Sequence, residues 1–219
     1  MRNLSWAALV VMLVSPATAQ EAPKLLTYKV HHALFGDIGK FTDEIISDGA
    51  KTRIATRADV RVDVFGITLH SMRVEWSEVW ENGTLQDYSA TTTRNGSAET
   101  VSGKSTGERF LIRAGTREVD APADVQPVHP WSLQFVHATM LMSPQSGRVF
   151  PADISDAGEE SILVGRQLKR VRHYIVRTDI TDHLYFDDEG TLVRAEYRDF
   201  TGEVSFTLQP AFGRIVTAR

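Results

Sequence analysis

Cysteine is absent from all 219 residues. That absence excludes a disulfide, a thiol nucleophile, a thiolate metal site and a lipid-modified cysteine at a processed N-terminus. A surplus of positive charge is missing too, with 24 Lys and Arg against 28 Asp and Glu. Nucleic-acid binders normally carry a basic stripe, so that class is disfavoured. There is no phosphate-binding glycine loop, His-Glu-x-x-His zinc helix or EF-hand calcium loop. No apolar run reaches the roughly 20 residues that a membrane-spanning helix needs. Internal repeats and low-complexity tracts are also lacking.

What the chain does have begins with an address. Arg2 is followed by an apolar run from Leu4 to Val14, then Ser15-Pro16, then the small residues of Ala17-Thr18-Ala19. This is the pattern of a secretory signal peptide. The expectation is cleavage after Ala19, a mature chain beginning at Gln20, and a single β-rich exported domain over residues 20–219. Its removal takes Arg2 from a chain whose formal net charge is −4. About 200 residues can bury a sufficient core without disulfides.

Period-two alternation dominates the mature chain. Thr52, Ile54, Thr56, Ala58, Val60, Val62 and Val64 alternate with Arg53, Ala55, Arg57, Asp59, Arg61 and Asp63, as in a long half-buried strand. Leu26, Tyr28, Val30, His32 and Leu34 make a second stripe. Met72, Val74, Trp76 and Trp80 make a third, interrupted by Glu78. Turn signals at Asp48-Gly49, Phe65-Gly66, Asn82-Gly83, Asn95-Gly96, Ser102-Gly103, Thr106-Gly107 and Glu189-Gly190 separate the runs. Asn82-Gly83-Thr84 and Asn95-Gly96-Ser97 match the glycosylation pattern but read first as hairpin turns. Hairpin after hairpin gives a mostly β fold: a long-stranded antiparallel meander curved into a half-barrel or open barrel.

The middle of the chain breaks the pattern. Pro122, Pro127 and Pro130 punctuate a linker, and Trp131 to Met142 shows apolar residues at helical spacing. The expectation is one short helix over Trp131–Met142, apolar around most of its circumference and buried on the concave face. Further strands are expected near residues 148–154, 161–168, 169–178, 183–187, 192–199 and 203–208.

Candidate sites follow from residues out of place. Glu78 shares a face with Trp76 and Trp80, so it points inward. It is either a general acid or ligand-orienting group in a cavity, or a structural carboxylate paired with an arginine or exposed at the strand end. Arg170 and Arg172 belong to the one basic cluster, either a site for an anionic head group or a solvated strand face. Trp76, Trp80, Trp131 and Phe135 line a pocket or fill the core. The seven histidines are scattered, and none is spaced for a simple chelate, so no metal and no cofactor is assigned. Asp187-Asp188-Glu189-Gly190 lacks alternating calcium ligands and reads as a tight turn.

The motifs Trp76-x-Glu78-Val79-Trp80-x-Asn82-Gly83-x-Leu85, Asn95-Gly96 with Val101, Trp131 with Gly147, Glu160, and His183-Leu184-Tyr185-Phe186-Asp187-x-x-Gly190 resemble those of an exported bacterial family known only as a domain of unknown function. The likeness spans roughly residues 25–208. At the level of fold, a long-stranded open sheet around a short helix also resembles the half-barrels of periplasmic lipoprotein carriers. These resemblances imply an open β fold and a periplasmic location, and they carry over no catalytic residue. The expected function is binding of a lipid or other amphiphile in the concavity through Trp76, Glu78, Trp80, Trp131, Arg170 and Arg172. The alternatives are a hydrolase or isomerase using Glu78 and a histidine there, or an envelope-assembly partner without a small ligand.

Overall fold

The alternating stripes become strands in a computed structural model that describes residues 22–210; the expected leader at 1–19 lies outside them. The first run of hairpins is β1 (Lys24–His32), β2 (Gly36–Asp48), β3 (Lys51–Val64), β4 (Ile67–Glu81), β5 (Thr84–Arg94), β6 (Ser97–Ser105), β7 (Arg109–Ala114) and β8 (Arg117–Pro122). The second is β12 (Asp153–Val164), β13 (Gln167–Arg177), β14 (Thr181–Phe186), β15 (Leu192–Arg198) and β16 (Glu203–Leu208). Between the runs lie β9 (Gln126–Pro127), a 3₁₀ turn (Leu133–His137), β10 (Met140–Met142) and β11 (Val149–Pro151). On β3, Ile54, Thr56, Ala58, Val60 and Val62 are buried while Arg57, Asp59 and Arg61 are exposed, as the alternation requires.

The two runs join into one thirteen-stranded antiparallel sheet, ordered β12-β13-β14-β15-β16-β1-β2-β3-β4-β5-β6-β7-β8. β1 links them: it pairs with β2 on one side and with β16 on the other, Tyr28 opposite Leu208 and His32 opposite Val204. β8 and β12 are the two edges, and the sheet is not closed into a barrel. Gly39 shows how closely the long strands coil on one another, since a Cβ there would lie 2.1 Å from the Asp59 carbonyl oxygen.

The main core explains the curvature. One cluster joins Ile54 and Trp80 of β3 and β4, Phe110 and Ile112 of β7, and Val176, Leu184 and Phe186 of β13 and β14. Strands so far apart in the order meet only because the sheet curls around a shared filling. That filling is the segment linking β8 to β12, a strap that supplies Phe135, Leu141 and Met142 at 3%, 0% and 0% exposure.

The strap corrects the expected helix. Only Leu133–His137 turns, as 3₁₀, and Met140–Met142 is a strand, parallel to β9 and antiparallel to β11. Ser132 makes no side-chain cap, and Ala138 is extended with ψ at 140°. A twelve-residue helix is marginal without strong caps. Leu141 and Met142 are adjacent and both fully buried, which a strand covered on both faces permits. An apolar run buried all round looks alike in helix and strand, and periodicity cannot separate them. The β12–β13 hairpin also turns at Gly165 rather than after Leu168, so residues 161–168 are not one strand.

Candidate functional site

His129 sits where the strap crosses the sheet, and the prolines around it fix its backbone. Pro130 restricts the preceding residue to extended geometry, and the His129 N–H donates to the Pro127 carbonyl at 2.7 Å. The imidazole then enters the core at 6% exposure, edge-on to Phe41 and Trp76 with ring centroids at 5.7 Å. Two carboxylates meet it. Nδ1 contacts Glu78 Oε1 at 2.7 Å and Nε2 contacts Asp43 Oδ1 at 3.1 Å. Glu78 and Asp43 are 1% and 2% exposed. Asp43 Oδ1 also accepts from Thr56 Oγ1 at 2.7 Å, and Glu78 Oε2 accepts from the Trp80 indole N–H at 2.8 Å.

Burial by itself pulls the His129 pKa down, but the charges of Asp43 and Glu78 and their hydrogen bonds override it and push it up to about 10. The ring is therefore an imidazolium at neutral pH, donating both N–H groups. It has no free lone pair, so in this arrangement it is a charged clamp and not a base. The same carboxylates act on their neighbours. Burial first, then Asp43, pushes the Tyr28 phenol far above its ordinary range, and burial with Glu78 does the same to Tyr88. Both hydroxyls stay neutral donors, Tyr28 to the Leu192 carbonyl and Tyr88 to that of Pro144.

The structure gathers four of the six sequence-derived residues. Glu78 points inward as its parity demands, but its partner is His129 rather than an arginine, and it is not exposed at the strand end. Trp76 packs on His129, and its own indole nitrogen is buried without a partner. Trp80 binds Glu78 and stands edge-to-face with Trp131, centroids 5.8 Å apart. Arg170 and Arg172 are not brought into this group. They lie exposed on β13, paired with Glu159 and Asp156 of β12.

Sequence reasoning missed Asp43 and His129. Asp43 lies between Phe41 and Ile45 at inward parity, as Glu78 lies between Trp76 and Trp80, and two inward acids on neighbouring hairpins call for a shared cation. Also missed was a pairing on the other side of the sheet, where His173 Nε2 lies 2.9 Å from His183 Nδ1 across the β13–β14 hairpin. His173 Nδ1 meets Glu160 at 3.0 Å, and its ring stacks on Tyr185. Burial, followed by smaller and opposing effects of its neighbours, holds the His173 pKa below the ordinary value. Among the described residues no group of three or more His, Asp or Glu is arranged to hold a metal ion. The Asp187–Gly190 turn is closed by its own Asp187 carboxylate, which accepts from the Glu189 and Thr191 amides.

A family model described as "Domain of unknown function (DUF6134)" matches residues 36–209, from the start of β2 to just beyond β16. No curated protein matches the chain. A beta-barrel-like protein of the domain of unknown function DUF1849 from Brucella abortus is similar in structure, with a TM-score of 0.63 at 9% identity over 85% of this chain and 95% of that chain. At that identity the likeness is one of fold. A DUF1089 family protein from Pseudomonas aeruginosa matches at a TM-score of 0.30 and 9% identity, over 90% of this chain and 95% of that one.

Proposed function

Since the chain belongs to the DUF6134 family, a domain of unknown function, we propose from its own geometry that it is a periplasmic binding protein for a lipid or other amphiphile. The ligand lies against the concave face of the sheet, and the strap over residues 123–152 is the element that yields to it. One observation carries this reading. The inner face, lined by Tyr28, Phe41, Ile54, Trp76 and Trp80, is covered by a single irregular strap and not by a second layer of regular structure. Ligand sites are concave and mostly apolar, and displacing the strap would expose such a concavity. The buried His129 clamp then holds the empty form shut.

The test begins with lipid extraction and mass spectrometry of freshly purified protein that starts at Gln20. Fluorescent fatty-acid and phospholipid probes are then titrated into delipidated protein while tryptophan emission is followed. Saturable binding, weakened by Trp80→Ala with the fold intact and speeded by His129→Ala, supports the reading. Absence of saturable binding, with no lipid in the extracts, refutes it. A hydrolase or isomerase draws on the 2.7 Å contact between Glu78 and His129. It too needs the strap to open, because both ring nitrogens are committed to carboxylates.

A further inference from the structure

Phe65 occupies a position where neither the backbone nor the packing has a use for a phenyl ring. Three hairpin tips place two successive residues at positive φ: Phe65-Gly66 at 51° and 81°, Asn82-Gly83 at 50° and 77°, and Asn95-Gly96 at 49° and 86°. Left-handed geometry suits Asn and Gly and penalises bulky side chains. Two tips obey that rule and the third carries phenylalanine, with its ring 100% exposed. Nothing within the described chain repays this choice.

The ring has company. Ile67 and Leu69 on the same hairpin are 65% and 56% exposed, Leu34 in the β1–β2 turn is 67% exposed, and Phe200 in the β15–β16 turn is wholly exposed. Strand direction puts all of them on one rim, since β1, β3 and β15 run toward the same end of the antiparallel sheet. Strands β15, β16, β1, β2, β3 and β4 are consecutive. The three tips therefore stand in a row, roughly 10 Å apart at two strand spacings each. Two of them are also tied together, the β1–β2 and β15–β16 tips: the Ala33 N–H donates to the Glu203 carbonyl at 2.8 Å, and His32 Nε2 meets Thr201 Oγ1 at 2.9 Å. The opposite rim turns through Asp48-Gly49, Asn82-Gly83, Thr106-Gly107, Gly165-Arg166 and Asp187–Gly190, with its exposed Leu163 and Leu168 confined to the one β12–β13 hairpin.

We propose that this rim is a docking edge for a lipid bilayer, with Phe65, Ile67, Leu69, Leu34 and Phe200 entering the boundary between head groups and acyl chains. The form of the patch selects a fluid occupant. Its apolar groups are separate fingers rather than a groove, and a rigid partner would need a matched recess for each. The strands behind them are paired on both sides, so no free edge invites an added strand. Charge selects the lipid class. The ions behind the tips are balanced within the chain: Arg61 pairs with Asp63 at 3.0 Å, Lys29 with Asp37 at 3.2 Å and Arg73 with Asp59 at 3.4 Å, and Arg198 stands opposite Glu203 in the strand register. That leaves no basic surplus for anionic head groups, so a zwitterionic surface entered by apolar side chains fits.

The experiment is vesicle flotation of the protein starting at Gln20, with phosphatidylcholine vesicles at low and high salt. Binding that persists at high salt is expected. Phe65→Asn installs the residue the sister tips use, so the fold is retained, and binding should weaken at least tenfold. Phe65→Asn with Ile67→Thr and Leu69→Thr should abolish it, whereas Leu168→Ser, at an exposed leucine of the opposite rim, should leave it unchanged. Four results would each overturn the proposal: no flotation of the parent protein, equal binding by Phe65→Asn, binding only to phosphatidylglycerol that salt removes, or self-association without vesicles that Phe65→Asn abolishes. Soluble-probe uptake does not involve the rim, so Phe65→Asn should retain it; this inference and the proposed ligand site fail separately.

Discussion

Removing the His129 imidazole should cost this fold more than removing most of its apolar side chains, and the cost should carry a pH signature. The ring ionises near pH 10 in the folded chain against 6.5 for an ordinary histidine. At about 1.4 kcal/mol per pH unit, that difference corresponds to stabilisation on the order of 4–5 kcal/mol. Experience with buried ion pairs gives a similar figure, since deleting one partner costs about 3–5 kcal/mol. Here deletion leaves Asp43 and Glu78 facing one another at 2% and 1% exposure with no cation. A folded pKa raised above the unfolded one means that the stabilisation is complete below pH 6.5 and is lost as pH rises through 10.

Urea denaturation of the parent protein should therefore show stability falling by about 1.4 kcal/mol per pH unit, or roughly 3 kcal/mol in all, between pH 7.5 and 9.5. His129→Ala should start roughly 3–5 kcal/mol lower at pH 7 and lack that decline. The range must stop at pH 9.5. Tyr28, Tyr88, Tyr185 and Tyr197 are all pushed above the ordinary phenol value, chiefly by burial, and each adds its own loss of stability beyond pH 10. A parent protein whose midpoint is constant from pH 7.5 to 9.5, with a variant that tracks it in parallel, would refute the clamp.

Two further outcomes are expected. Burial alone pushes the Asp182 carboxyl up to about 6, so the folded state prefers it protonated and loses stability as pH rises from 3.8 through 6. Asp182→Asn should raise stability by up to about 3 kcal/mol at pH 7.5 and by little near pH 4, as read from urea midpoints of both proteins; a variant no more stable at pH 7.5 contradicts the burial argument. For the proposed leader, Ala19→Arg should leave an uncleaved, membrane-held precursor in the producing cell, checked by N-terminal sequencing and fractionation; unprocessed parent protein found soluble in the cytoplasm would defeat the export proposal.

Legibility in the sequence followed the periodicity of each segment. Where one sheet face is buried and the other wet, as on β3, alternation named the strand, its inner face and its turns. Asn82-Gly83 and Asn95-Gly96 turn where the dipeptides said they would. The strap escaped because both of its faces are covered, and a run such as Met140–Met142 then carries no alternation to read. The clamp was half legible. Parity alone turned Glu78 inward, but its partner comes from a segment without regular structure, 51 residues away in the chain. No local rule connects those positions. The inward acid on β2 was the remaining clue, since Asp43 and Glu78 together require one shared cation more than either requires an arginine.

The nature of that cation bears on how the strap is held. Well-packed apolar residues often stabilise a core as much as a buried ion triad does, so affinity alone does not explain Asp43, His129 and Glu78. Register does. The strap contributes few strand pairs to hold it in place, with β9 only two residues long and β10 and β11 three each. Apolar contacts are non-directional and would tolerate a strap shifted by a residue. The triad does not, because both imidazole nitrogens must meet carboxylates fixed on β2 and β4. A one-residue slip would bury two uncompensated anions. The prolines at 127 and 130 restrict the backbone on either side of the ring, so the clamp engages with little ordering left to do. An irregular segment can then close a curved sheet in a single arrangement.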